Sequence, residues 1–197
     1  MNSGRPLEYD PAKALDAAME VFWSRGYEGT SLDDLLTATG LSKSSFYQAF
    51  SSKHEAFQRA LMHYCDGLTA QLREKLQAAD SGWNFIESVL LSAADEAQGA
   101  HDPRGCMIVN VATEFSTRDT RITALVADGV KRVAQIFVAA VKRAQKEGRI
   151  ANDKDPNLLG RYVLSSLSGL RTMVKAGNSH GASAALVAVI MTALDYP

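Results

Sequence analysis

Residues 30–53 read TSLDDLLTATGLSKSSFYQAFSSK, and this stretch holds two helix-capping serines on either side of a glycine. Ser31 opens the first segment, and Asp34 lies three residues later as a weaker version of the capping-box acid. Gly40 follows as a residue that takes the left-handed conformation at helix ends, and Ser42 caps the second segment. The stretch therefore predicts two short helices joined by a tight glycine turn.

The two short helices differ in what they present outward. Three leucines at helical spacing give the first helix one apolar face: Leu32, Leu35 and Leu36. The second helix, predicted over residues 43–50, has Phe46 and Phe50 four residues apart on an inward face. Its outward face carries Lys43, Ser44, Ser45, Tyr47 and Gln48. These groups suit phosphates and base edges, so the pair is typical of a DNA-reading helix-turn-helix.

Three segments around this stretch resemble the DNA-binding domain of TetR-family repressors. They are FWSRGYEGTS from Phe22, TGLSKSSFYQAF from Thr39 and SSKHEAF from Ser51. The resemblance implies a helix-turn-helix DNA-binding domain over residues 1–55 and an effector-binding and dimerisation domain over residues 56–197. It also implies a homodimeric repressor that an effector releases from a palindromic operator, with an effector-dependent activator as the alternative.

Position in the family's motif assigns seven DNA-contacting residues to this chain: Thr30, Lys43, Ser44, Ser45, Tyr47, Gln48 and Lys53. The resemblance implies phosphate contacts for Tyr47 and Lys53, and places Thr30 where a hydroxyl or backbone N–H meets phosphate. Gln48 takes a position often held by histidine, and a glutamine there can pair with an adenine edge. The alternative for Gln48 is an ordinary solvated helix residue.

The charge balance lacks the basic footprint that is usual for a nucleic-acid binder. The whole chain has a formal net charge of −1, and residues 1–60 hold six basic and eight acidic residues, a net charge of −2. We therefore expect four acids to face away from the duplex: Asp16, Glu20, Asp33 and Asp34. Arg5, Lys43, Lys53 and the helix N-termini then face phosphates, with few ionic contacts and a shallow salt dependence.

Composition indicates a soluble globular protein, with 46% hydrophobic residues and a mean hydropathy of −0.11. The longest apolar run, residues 184–191, is too short to span a bilayer, and the polar N-terminus shows no signal peptide. Two cysteines do not make a disulfide framework. We expect a cytoplasmic protein without a membrane partner.

Nothing in the sequence predicts an enzyme, a catalytic residue, a metal site or a cofactor. The four histidines are scattered, and His63 and Cys65 are two apart on one helix, which is poor geometry for joint metal binding. Neither a phosphate-cradling glycine loop nor a nucleophile elbow appears. A DNA-binding protein without an effector is a further alternative, which the large second domain disfavours.

The remaining periodicity is helical, without a strand pattern or a repeat, so we expect an all-α protein of about nine helices. Beyond the helix-turn-helix, helices are predicted over residues 11–25, 53–79, 83–98, 104–115, 119–148, 156–176 and 183–194. The last two have broad apolar faces, which predict a four-helix dimer interface; the alternative for part of this surface is an ordinary core. The interface residues predicted are Leu159, Tyr162, Val163, Leu167, Leu170, Leu186, Val189 and Ile190.

Five side chains are candidates for an effector pocket between the middle helices: Trp83, Phe85, Met107, Phe115 and Phe137. The alternative for each of them is core packing. No charged cluster in the sequence identifies the ligand.

The segment HDPRGCMIVNVATEF, which begins at His101, resembles the Gly-Cys segment of a family branch that includes repressors answering electrophiles and oxidants. Asp102 and Pro103 are predicted to begin a helix, which places Cys106 in its first turn. There the helix dipole and Arg104 favour the reactive thiolate, and Lys175 is the predicted partner amine. The alternative is that Cys106 is a buried cysteine acting as a small hydrophobe.

Overall fold

The computed structural model describes residues 9–96, 104–115, 119–177 and 179–195. Across these ranges the chain forms nine helices and no strand, which confirms the all-α prediction. The helices are α1 (Pro11–Arg25), α2 (Leu32–Thr39), α3 (Lys43–Phe50), α4 (Lys53–Ala78), α5 (Gly82–Asp95), α6 (Met107–Phe115), α7 (Thr120–Lys146), α8 (Pro156–Lys175) and α9 (His180–Asp195). The predicted roles of Arg5, Asp102 and Pro103 lie outside the described residues.

Side-chain caps begin the helices around the glycine turn, as the sequence predicts. Ser31 and Asp34 form a complete capping box, because the Ser31 hydroxyl accepts from the Asp34 N–H and the Asp34 carboxylate accepts from the Ser31 N–H. Gly40 ends α2 in the left-handed region at φ 67°, and the Ser42 hydroxyl accepts from the Ser45 N–H at 3.1 Å. Local sequence therefore sets the angle between α2 and α3.

The N-terminal helices close around an aromatic core. Phe22, Phe46, Phe50 and Phe57 are almost fully buried, and the Phe22 and Phe57 rings meet edge to face at 5.0 Å. Phe57 belongs to α4, so this long helix shares its first turns with the N-terminal core and continues into the second half of the chain. The domain boundary at residue 55 stays a prediction, since α4 runs through it without a break.

Helices α4 to α9 form a bundle in which α7 and α8 pack closely. Gly160 on α8 allows that approach, because a Cβ there would lie 2.6 Å from Val138 Cγ2. Gly82 likewise admits α5 against the Ala140 carbonyl of α7. No helix in the described ranges is long and apolar enough to cross a membrane.

Candidate DNA-binding surface and effector cavity

Helix α3 presents a polar face outward. Lys43, Ser44 and Gln48 are exposed, and Tyr47 keeps 44% of its surface exposed. Phe46 and Phe50 on the opposite face are buried, so packing fixes which side of α3 faces outward. Ser45 is half-buried and shares a 2.9 Å hydrogen bond with the Ser42 hydroxyl.

Thr30 lies in the loop between α1 and α2. Its side chain is 1% exposed and its hydroxyl donates to the Gly26 carbonyl at 2.6 Å, while its N–H donates to the Tyr27 carbonyl at 3.2 Å. Both donors are therefore used inside the loop between α1 and α2. Both bonds stabilise the loop, and the phosphate contact of Thr30 stays a prediction.

Lys53 begins α4 with its ammonium group 4.3 Å from the centre of the Tyr27 ring. This contact holds a cation beside the N-terminus of α4, which carries the partial positive charge of a helix start. Lys53 and this helix end together make a favourable place for a phosphate.

Three of the four acids that were expected to face away from DNA are held by other parts of the protein. Asp16 lies 2.5 Å from His63 of α4, and Glu20 pairs with Arg104. Hydrogen bonds from Ser31 and the Arg25 guanidinium lower the pKa of Asp34 to about 2. Asp33 is exposed. The orientation of these acids away from DNA stays a prediction.

A cavity of about 370 Å³ lies among α4, α5, α6, α7 and α8. Its apolar wall is formed mainly by aliphatic side chains: Leu68, Leu72, Val89, Ile108, Val133 and Leu167. Hydroxyl and cationic groups complete it, among them Ser165, Ser168 and Arg171. A concave site with apolar walls and a few polar groups has the usual chemistry of a small-molecule pocket.

None of the five predicted pocket residues lines this cavity, so their place in an effector pocket stays a prediction. Phe85 and Phe137 are fully buried and meet at 5.9 Å within the core. Phe115 stacks on Phe57 at 5.1 Å, Met107 is buried, and Trp83 lies under the Arg149 guanidinium. The largest side chains fill the interior, and space remains where aliphatic residues and serines meet.

Cys106 lies in the wall of the same cavity but not in the first turn of α6. The helix begins at Met107, and the Cys106 carbonyl accepts the first helical hydrogen bond from Asn110 at 3.0 Å. Arg104 pairs with Glu20 and covers the Trp23 ring at 4.2 Å. The polar neighbour of the sulfur is the Tyr64 hydroxyl, which donates to Cys106 Sγ at 3.7 Å.

Lys175 reaches the neighbourhood of Cys106 without bonding to it directly. Both residues line a second, smaller cavity of about 220 Å³. The Lys175 ammonium lies 3.5 Å from the Asn110 side-chain oxygen, and its aliphatic stem passes beside Gly105. The prediction that these two residues share a site is consistent with this geometry, and their chemical partnership stays a prediction.

The other cysteine, Cys65, is buried on α4. Burial raises the pKa of its thiol to about 12, so the thiol stays protonated at neutral pH. Its sulfur packs against Gly129 of α7, where an added Cβ atom would lie only 2.8 Å from the sulfur. Cys106 is half-buried and is therefore the more accessible thiol.

Contacts that sequence reasoning missed connect α1 and the loop after it to Gly105 and to the end of α6. The Trp23 indole N–H donates to the Gly105 carbonyl at 3.1 Å. The Glu114 carboxylate accepts from the N–H groups of Tyr27 and Glu28 at 3.0 and 2.8 Å. These bonds span more than eighty residues of sequence, so no local pattern predicts them.

The apolar surface of α8 and α9 is narrower than the predicted dimer interface. Four of the predicted residues are buried within the protomer: Val163, Leu167, Leu170 and Ile190. Leu159 and Tyr162 are half-buried, while Leu186 is 42% and Val189 65% exposed. Leu158, which the prediction did not include, is 66% exposed. The spacing of apolar residues identified α8 and α9 as apolar helices. It did not show which side of each helix faces outward, because both sides are apolar.

A capped helix-turn-helix joined to a larger helical domain is the architecture of a class of DNA-binding helix-turn-helix regulators. Comparison with known proteins supports this: the family description "Bacterial regulatory proteins, tetR family" matches residues 14–60, and "Tetracyclin repressor-like, C-terminal domain" matches residues 85–190. The chain belongs to the TetR family of DNA-binding transcriptional regulators.

Relatives in sequence and structure span nearly the whole chain. The uncharacterized HTH-type transcriptional regulator YezE of Bacillus subtilis (strain 168) is 31% identical over 173 residues, covering 87% of this chain and 89% of that protein. The HTH-type transcriptional repressor ComR of Escherichia coli (strain K12) is 28% identical over 180 residues, covering 89% and 84%. A solved structure of the TetR family transcriptional regulator CifR with 26 bp operator DNA matches with a TM-score of 0.83 and 30% identity, covering 97% of this chain and 100% of that one.

Proposed function

We propose that this regulator is a cytoplasmic homodimeric repressor that binds a palindromic operator through α3 and is released when an effector acts at the cavity. The observation that carries the proposal is the Trp23–Gly105 hydrogen bond, because it ties α1 to the residue next to Cys106 in the cavity wall. A change in the conformation of the cavity wall would therefore act directly on α1 through this hydrogen bond.

The names of relatives support a repressor over an activator. ComR is named a repressor and matches 89% of this chain. The HTH-type transcriptional activator FasR of Mycolicibacterium smegmatis is 29% identical over 104 residues, which is 53% of this chain. Activation is therefore the second candidate, and a reporter gene that loses expression when the regulator is deleted would favour it.

DNA recognition is proposed to use the outward face of α3 together with the start of α4. Lys43, Tyr47 and Lys53 contact phosphates, and Ser44, Ser45 and Gln48 approach the base edges. Two copies related by a two-fold axis then read two half-sites in successive major grooves. The double-stranded operator, a second copy of the chain and the effector are the proposed partners.

Footprinting on the DNA upstream of the regulator's own gene tests this reading mode. We expect two protected half-sites related by two-fold symmetry. Gln48→Ala should weaken operator binding by roughly tenfold if its amide pairs with a base. The matched control is Gln77→Ala, an exposed glutamine of α4. A single asymmetric footprint, or equal effects of the two variants, would contradict the proposal.

The effector is proposed to be a thiol-reactive electrophile or a small apolar ligand. With an activated alkene, the Cys106 thiolate forms a bond to the β-carbon, and the displaced π electrons take up a proton at the α-carbon. The added group enlarges a side chain that lines the cavity and touches Tyr64. Operator release by an electrophile that survives Cys106→Ser would leave the non-covalent ligand as the remaining mode.

A further inference from the structure

The charged groups in the wall of the large cavity have one sign. Lys75 and Arg171 both line it, and no acidic side chain does so among the described residues. The remaining wall is aliphatic or carries neutral polar groups such as Gln71 and Ser168. A cavity of this composition favours an anionic ligand over a neutral or cationic one.

Arg171 has unused hydrogen-bonding capacity at this place. Its ion-pair partner is Glu96, with 3.2 Å between Arg171 Nη2 and one carboxylate oxygen. Its Nε is buried and has no hydrogen-bond partner among the described residues. A guanidinium carries five donors in a planar fork that matches the two oxygens of a carboxylate. Arg171 lines the cavity, so its guanidinium donors beyond the one that faces Glu96 are available to a ligand's carboxylate.

The rest of the cavity suits a short apolar body. Its volume of about 370 Å³ lies near the small end of the range for ligand pockets, which is about 300–1,000 Å³. Leu68, Leu72 and Val133 form part of its wall, so the body of a ligand would be removed from water. Glu96 does not line this cavity, so no carboxylate of the protein repels an anionic ligand from inside it.

We propose that the cavity binds a small amphipathic carboxylate, with its apolar body among α4, α5 and α7 and its carboxylate on the Arg171 guanidinium. This inference rests on the proposed function, since it names the chemical class of the non-covalent effector. Arg171 also lines the adjoining cavity with Tyr64 and Trp23, whose rings meet edge to face at 5.0 Å. A carboxylate bound to Arg171 would therefore lie near Trp23, a residue of α1.

Calorimetric titration of the full-length protein without DNA tests the inference, with octanoate and 1-octanol as probes. The two share the same chain length and differ in the charged head. We expect octanoate to bind at least about tenfold more tightly than 1-octanol, as a charge-assisted hydrogen-bonded pair implies. Equal affinities, or no octanoate binding by the wild-type protein, would overturn the inference without reference to any variant.

Variants then locate the head group. Arg171→Met should remove the preference for octanoate, and Arg171→Lys should keep only part of it because the planar fork is lost. Arg73→Met, an exposed arginine of α4, is the matched control and should keep the preference in full. Circular dichroism confirms that each variant is folded. An unchanged octanoate affinity in both Arg171 variants would exclude Arg171 as the anchor.

The same titrations separate this inference from the proposed function. Octanoate does not alkylate thiols, so its binding should persist in Cys106→Ser. If octanoate binds through Arg171 but leaves operator affinity unchanged, the binding inference stands and its role as effector fails. If octanoate does not bind while alkylation still releases the operator, the inference fails and the proposed function stands.

Discussion

At the scale of single residues, local chemistry explains why some positions were predictable and others were not. The capping box of Ser31 and Asp34 depends on residues three apart, so the sequence predicts it and the structure confirms it. The role of Arg104 depends on Glu20 and Trp23, more than eighty positions away. The sequence offered only its neighbour Cys106 as a partner, and its effect on that thiol stays a prediction.

The capping box leads to a pH-dependent prediction. Hydrogen bonds from the Ser31 hydroxyl and N–H, and the Arg25 guanidinium, hold the pKa of Asp34 at about 2, whereas an unfolded aspartate has a pKa of about 3.9. A depressed folded pKa contributes stability above the unfolded pKa, and this contribution is lost as the pH falls through the folded value. We expect Asp34→Asn to lower the Tm by roughly a few degrees at pH 7.

Thermal unfolding from pH 7 to pH 2 measures this effect. The gap between wild type and Asp34→Asn should narrow below about pH 4 and close near pH 2. Asp33→Asn, which changes the neighbouring exposed acid, is the control and should show no such closing gap. A gap that is constant across the whole pH range would show that the Asp34 charge contributes nothing.

At the scale of helices, α6 is the element that connects the cavity to the DNA-binding helices. Its first residues follow Cys106 in the cavity wall, and its last turn carries Glu114, which holds the N–H groups of Tyr27 and Glu28. Apolar spacing predicted the existence of this helix, but its contacts arise only in the tertiary fold. Of the aromatic residues expected in the pocket, Phe85 and Phe137 are buried in the core, because burial of the largest side chains is decided by packing.

Glu114 should therefore set how strongly the cavity and the operator site communicate. Glu114→Ala leaves two backbone N–H groups without their acceptor and loosens α6 from the loop after α1. We expect the fold-change in operator affinity upon alkylation of Cys106 to shrink several-fold. The ratio of operator Kd values with and without N-ethylmaleimide measures it. Thr113→Ala, an exposed neighbour on α6, should keep the wild-type ratio; if Glu114→Ala keeps it too, α6 does not transmit the signal through this contact.

At the scale of the whole molecule, the exposed apolar residues of α8 and α9 form the surface that the proposed dimer would cover. Leu158 and Val189 leave about two thirds of their surface in water in the single chain, at 66% and 65%. Covering them against a two-fold-related copy would remove this apolar surface from solvent. The sequence predicted these two helices for the interface, but the structure assigns half of the chosen side chains to the protomer core.

A charge placed on this surface should separate the dimer. We expect Val189→Glu to shift the protein from dimer to monomer in sedimentation velocity at micromolar concentration. Operator affinity should then fall by at least about tenfold, because one protomer reads one half-site. Met62→Glu changes a residue on α4 with 43% exposure and should leave the dimer intact. A Val189→Glu protein that remains dimeric would place the interface elsewhere.

The distribution of charge over the molecule predicts a weak dependence of operator binding on salt. Few cations face outward on α3 and at the start of α4, and each neutralised phosphate contributes about −0.9 to the slope of log affinity against log salt concentration. We expect a slope shallower than about −8 for the dimer. Anisotropy titrations of operator DNA at salt concentrations from about 50 to about 200 mM measure this slope. A steeper slope would show phosphate contacts that this surface does not explain.

The most direct test of the link between cavity and operator is fluorescence anisotropy of labelled upstream DNA before and after treatment with N-ethylmaleimide. Wild type, Cys106→Ser and Cys65→Ser are compared side by side. We predict that wild type and Cys65→Ser lose operator binding after treatment, while Cys106→Ser keeps it. Operator binding that persists in all three proteins would contradict a covalent switch at Cys106 and return that thiol to a packing role.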